Sequence, residues 1–154
     1  MERKLLIKTE SQMIKLGEEI GKHAFKGMVI TLVGDLGAGK TTMTKGIGKA
    51  LNITRVINSP TFTIMKIYQG DYTLYHMDVY RIDNNSGDDY LEEYFYLDGV
   101  SVIEWADNIS DFLPKNRLQI SIEIDNDFNR VVTLFSDSDE YVKIIEDLQI
   151  WKYY

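Results

Sequence analysis

Eight consecutive residues, Gly34-Asp35-Leu36-Gly37-Ala38-Gly39-Lys40-Thr41, fit the pattern G-x-x-x-x-G-K-[ST] without a mismatch. Each position has a physical task. The glycines allow backbone angles that aim successive N–H groups at phosphate oxygens. Lys40 supplies a point charge to the β- and γ-phosphates, and Thr41 offers a hydroxyl to Mg²⁺. Thr42 follows at the start of a helix, whose free N–H groups and dipole favour an anion. A chance match somewhere in a chain of this size is on the order of one in a few hundred at ordinary glycine frequencies. Here an apolar run of strand length precedes the loop and a helical pattern follows it, which is the setting a phosphate loop requires. Asp35 is either a turn residue or a contact to metal-bound water, with the turn preferred.

A phosphate loop that hydrolyses nucleotide needs an acid to hold Mg²⁺ and a group to orient the nucleophile. Glu104 ends the apolar stretch over residues 100–103, where such an acid is expected. Asp78 ends the segment containing His76, and a period of two puts His76 and Asp78 on one face. Either carboxylate could also be an ordinary solvated strand end, and the sequence does not divide the two roles. His76 taken alone fits a packed or hydrogen-bonded histidine better than a catalyst. Trp105 reads as core or rim, and Arg81 either senses phosphate or pairs with an acid. Ser59-Pro60-Thr61-Phe62 lies in the connection after the loop's helix, where many phosphate-loop proteins carry a γ-phosphate switch. Thr61 is the hydroxyl suited to that role; a plain Ser-Pro turn is the alternative.

The surrounding elements must position these groups. A short strand over residues 4–8 precedes Thr9-Glu10-Ser11-Gln12, which has capping-box spacing. Met13, Leu16, Ile20 and Ala24 then share a helical face, with Gly27 placed to stop the helix. MVITLV over residues 28–33 is a continuous apolar run, the mark of a strand covered on both faces. The loop and a helix to about Leu51 come next. Residues 62–78 alternate around a Gly70-Asp71 turn, as in an antiparallel hairpin. A short helix around residues 91–94, a buried strand at 100–105 and a helical stretch at 106–112 follow. Leu118, Ile120, Ile122 and Ile124 alternate and can pair with residues 130–135. An amphipathic helix over about 139–148 closes the pattern. The order predicts an α/β, three-layer P-loop NTPase fold with a mixed parallel and antiparallel sheet.

Composition sets the outer limits. The 154 residues predict one domain, with a terminal helix and tail at about 137–154. There is no cysteine and there are only two histidines, which excludes disulfides, thiolate metal sites and cysteine nucleophiles. With 24 acidic against 17 basic residues and a net charge of −7, a broad basic nucleic-acid surface is not expected. Any service to a nucleic-acid pathway then runs through a protein partner. No signal segment or membrane span is visible, so a soluble cytoplasmic protein is expected.

Four blocks in order, GDLGAGKTT at residues 34–42, SPTF at 59–62, HMDVYR at 76–81 and IEWADNI at 103–109, make the chain resemble the TsaE family. These are small bacterial ATPases of tRNA threonylcarbamoyladenosine biosynthesis, and the likeness extends over most of residues 10–135. It implies ATP hydrolysis with Mg²⁺ and docking on a heterodimer of sugar-kinase-like subunits, with tRNA contacted only indirectly. Hydrolysis would reset that complex rather than perform the transfer. Position by position, the likeness implies phosphate and Mg²⁺ handling by Lys40 and Thr41, with Glu104 as the metal-associated acid. It makes Asp78 a second essential carboxylate, which could also be the metal's ligand. Thr61 falls in the switch-like loop, Trp105 matches a tryptophan linked to activity, and Thr9, Ser11 and Arg130 lie near the adenine. Ser59, His76 and Arg81 fall with the switch and partner-facing blocks. Two other classes compete. A nucleoside or small-molecule kinase would close arginines over the phosphates, whereas the five arginines here are scattered. A nucleotide-dependent binding module would share the same loop chemistry.

Overall fold

The computed structural model describes residues 1–60 and 63–149. Thr61 and Phe62 of the switch-like connection, and residues 150–154 of the tail, lie outside the described residues. The described strands are β1 (Glu2–Ile7), β2 (Val29–Gly34), β3 (Met65–Tyr68), β4 (Leu74–Asp78), β5 (Val100–Glu104), β6 (Leu118–Ile124) and β7 (Arg130–Phe135). They form one sheet in the order β1-β7-β6-β2-β5-β4-β3. β2 runs parallel to β5 on one side and β6 on the other, and β4 is parallel to β5. The β3–β4, β6–β7 and β1–β7 pairs are antiparallel. A mixed sheet is thus the observed architecture, as its sequence pattern predicts.

Three α-helices, α1 (Glu10–Gly21), α2 (Lys40–Ala50) and α3 (Asp139–Asp147), share one face of this sheet. Their buried residues, such as Leu16, Ile47 and Tyr141, join Ile30, Ile120 and Val132 of the strands in one apolar cluster. On the other face two 3₁₀ segments, Asp89–Tyr96 and Ala106–Phe112, cover Val29, Met77 and Ile103. That makes three layers. Val29, Ile30, Thr31 and Leu32 are all buried, which explains why this strand reads as an unbroken apolar run.

Thr9 caps α1: its hydroxyl accepts the Gln12 N–H at 3.1 Å, while the Gln12 side chain accepts the Lys8 N–H at 2.7 Å. The helix ends at Gly21, six residues short of the Gly27 stop expected from its pattern. The Lys22 N–H caps it against the Glu18 carbonyl at 3.0 Å, and Gly27, at φ +84°, instead serves the turn into β2. Gly21 also abuts α2, since a Cβ there would lie 2.9 Å from the Ile47 carbonyl oxygen. The two short helices expected near 91–94 and 106–112 take 3₁₀ form, the second broken at Ile109 (φ −123°).

Candidate functional site

The phosphate loop joins the C-terminal end of β2 to the first turn of α2. Gly37 and Gly39 adopt φ +80° and +114°, values that side-chain-bearing residues rarely take, so the chain can curl under its own N–H groups. The Ala38 N–H closes a turn onto the Asp35 carbonyl at 3.0 Å, and the Asp35 side chain is exposed. Asp35 thus opens a turn, one of the two roles its sequence position offers. Leu36 stands 86 % exposed at the crest of the loop.

Lys40 is only 5 % exposed. Its Nζ donates to the carbonyl oxygens of Gly34 at 2.6 Å and Asp35 at 3.0 Å, and lies 4.2 Å from the centre of the Trp105 ring. Burial pulls the Lys40 pKa below the ordinary lysine value, and the carboxylates of Glu104, Asp78 and Asp35 pull it partly back. Thr41 Oγ1 donates to Glu104, 3.1 Å from Oε2 and 3.3 Å from Oε1. Glu104 is 3 % exposed, and its Oε2 also lies 2.5 Å from Nε2 of a fully buried His76.

The β4–β5 register places Asp78 directly beside Glu104. Asp78 is half-buried; its Oδ2 accepts the Ser59 hydroxyl at 3.0 Å and its Oδ1 accepts the Tyr80 N–H at 3.1 Å. Trp105 follows Glu104 in a left-handed conformation (φ 61°, ψ 35°) that turns its ring under Lys40, and Tyr80 packs on it at 4.9 Å. Arg81 lines, with Asp78, Ser59, Tyr80 and Trp105, a cavity of about 430 Å³ on this flank of the loop. The structure therefore gathers Lys40, Thr41, Ser59, His76, Asp78, Glu104 and Trp105, and sets Arg81 at the rim. His76 is not at a partner-facing surface, where its sequence block suggested; it lies beneath the carboxylate.

A second cavity of about 280 Å³ opens on the other flank, lined by Thr9, Thr42 and Arg130 together with Lys8, Met13 and Phe128. Ser11 does not line it and is exposed on α1. Arg130 holds the loop as well: its guanidinium donates to the carbonyls of Ala38 at 3.3 Å, Gly37 at 3.2 Å and Phe128 at 2.6 Å. Phe128, at φ +62° and 80 % exposed on the β6–β7 turn, was not singled out by the sequence. Nor were Lys8 and Met13. The aromatic among polar turn residues (Asp-Asn-Asp-Phe-Asn) was the one signal available.

The oxygen donors of Thr41, Glu104 and Asp78 suit a hard cation such as Mg²⁺. No group of three or more His, Cys, Asp or Glu able to cage a metal occurs among the described residues. No helix among the described residues is long and apolar enough to cross a membrane.

The family model described as "Threonylcarbamoyl adenosine biosynthesis protein TsaE" matches residues 7–132. Among curated relatives, the tRNA threonylcarbamoyladenosine biosynthesis protein TsaE of Bacillus subtilis is 51 % identical over 123 residues, 79 % of this chain and 78 % of that one. The protein of the same name from Treponema pallidum is 41 % identical over 126 residues, covering 77 % and 89 % of the two chains. The crystal structure of Bacillus subtilis YdiB superposes with a TM-score of 0.85 at 40 % identity, covering 96 % of this chain and 93 % of that one. With its phosphate loop, paired strand-end acids and mixed sheet, this chain belongs to the TsaE family.

Proposed function

We propose that this chain is a Mg²⁺-dependent ATPase that docks on, and resets, the protein complex making threonylcarbamoyladenosine on tRNA. The observation that carries the reading is the contact of the Thr41 hydroxyl with the buried Glu104 carboxylate, directly beside a phosphate-loop lysine. Relatives named for tRNA threonylcarbamoyladenosine biosynthesis support the pathway. The continuous sheet, which takes strands from Glu2 to Phe135, supports one ATPase domain.

In this reading the N–H groups at residues 37–42 cradle the phosphates, and Lys40 exchanges the Gly34 and Asp35 carbonyls for phosphate oxygens. Thr41 and Glu104 would hold Mg²⁺, whose charge would offset that of the phosphates. Asp78 orients the attacking water, and its bond from Ser59 ties that carboxylate to the switch-like connection containing Thr61. Thr9 and Arg130 face the nucleoside side of the loop. The partner is a heterodimer of sugar-kinase-like subunits, tRNA is met only through it, and the setting is cytoplasmic.

Phosphate release with and without that heterodimer tests the proposal. The expected result is slow turnover alone, faster turnover with partner, and neither activity nor fluorescent ATP-analogue binding in Lys40→Ala. Full activity in Lys40→Ala refutes the site assignment. Transfer of phosphate to a nucleoside rather than water refutes the ATPase reading.

A further inference from the structure

His76 is 0 % exposed, yet it sits in the apolar strand segment LYHMD, where an imidazole is costly to bury without a partner. Its Nε2 meets Glu104 Oε2 at 2.5 Å, and its buried Nδ1 has no hydrogen-bond partner among the described residues. A carboxylate can only accept, so Nε2 carries the hydrogen. A neutral ring then leaves Nδ1 as an orphaned lone pair, which interiors tolerate better than an orphaned N–H. The same Glu104 oxygen receives the Thr41 hydroxyl at 3.1 Å, so three side chains form a chain from strand to phosphate loop. The β4–β5 pair that carries two of them is a rigid support: His76 lies beside Val102, two residue pairs along from Asp78 and Glu104 and so on the same face.

We propose that His76 is a positioning residue: it donates its Nε2–H to Glu104 and holds that carboxylate against Thr41, where Mg²⁺ is to be bound. This rests on the ATPase reading above. A histidine kept only for packing would be replaceable by an apolar side chain, with the orphaned Nδ1 removed as a gain. A histidine kept for its N–H would not. Outer groups that orient a metal-holding carboxylate change metal affinity or activity by about 10- to 100-fold when lost.

The test compares His76→Leu with His76→Gln, whose amide nitrogen reaches about as far along the side chain as the imidazole Nε2. Each is assayed for partner-stimulated phosphate release and for binding of a fluorescent ATP analogue in EDTA and across a Mg²⁺ titration. Expected for His76→Leu are wild-type binding in EDTA, a Mg²⁺ requirement raised about 10- to 100-fold and a comparable fall in kcat. His76→Gln should recover most of both. Wild-type Mg²⁺ dependence in His76→Leu overturns the proposal, as does a His76→Gln protein that folds yet behaves like His76→Leu. An inactive wild type would instead count against the ATPase reading, and the Mg²⁺ titration of analogue binding would still decide the role of His76. Should neither variant fold, ¹⁵N spectra of the wild-type ring decide. Hydrogen on Nε2 with bare Nδ1 is required, and the opposite tautomer overturns the assignment.

Discussion

Backbone carbonyls and an indole face hold the Lys40 ammonium, so in the ATPase reading proposed above nucleotide binding would be an exchange rather than a capture. Its pKa is lowered chiefly by burial. A lysine with a lowered folded-state pKa binds fewer protons than its unfolded counterpart between that value and 10.5. The cost of the buried charge is therefore present below the lowered pKa and is relieved as pH rises through it. Relative to Lys40→Met, wild-type stability should rise across that alkaline window in pH-dependent denaturant melts; a falling difference would contradict the assignment. At Glu104 the expectation is separation of binding from turnover: Glu104→Gln should retain analogue binding in EDTA while phosphate release drops roughly 100-fold, the upper part of the range for disturbed metal sites. The placing of Lys40, Thr41, Asp78 and Glu104 at one site was legible because motif and strand-end position are local signals. The His76–Glu104 contact was not, since it depends on parallel pairing of strands whose partners are 26 positions apart, as Asp78 is from Glu104.

Among the elements, α1 and α2 approach each other closely at glycines. A Cβ on Gly46 would sit 2.1 Å from the Ile14 carbonyl oxygen, and one on Gly17 would sit 2.2 Å from that of Met43. Gly46→Ala should therefore force the helices apart and cost about 1–3 kcal/mol or more, overriding alanine's better helix propensity. Because α2 carries Lys40 and Thr41 and α1 starts at the cavity lined by Thr9 and Arg130, weaker analogue binding should accompany the lowered denaturant midpoint. At the other end of the sheet, the buried Tyr141 hydroxyl accepts the Val29 N–H at 2.9 Å. Tyr141→Phe leaves that N–H unpaired, with an expected loss of about 1–3 kcal/mol in a urea melt. Burial raises the Tyr141 pKa to about 12 from 10.0, so its contribution is full below pH 10 and is lost as pH climbs toward 12. Strands and α-helices were readable from period and capping. The end of α1 was not, because what halts it at Gly21 is contact with α2 and a cap from Lys22, whereas Gly27 serves the next turn.

For the whole molecule, the loop divides two cavities of different character. One, bounded by Thr9, Met13, Phe128 and Arg130, is built from β1, α1 and the β6–β7 turn; the other, bounded by Asp78, Tyr80 and Trp105, is built from the β4 and β5 ends. The sheet order that creates both sides was not legible, since β1 pairs with β7 across the length of the chain and β6 enters beside β2. A net charge of −7 disfavours a broad basic nucleic-acid surface, which is why the function proposed above reaches tRNA through proteins. The most direct test of the account is a crystal structure with a non-hydrolysable ATP analogue and Mg²⁺. Phosphates are expected on the loop, with Lys40 Nζ moved from the Gly34 and Asp35 carbonyls onto them and the metal beside Thr41 and Glu104. A nucleotide bound elsewhere, or a metal held by Asp78 with Glu104 turned away, would contradict it.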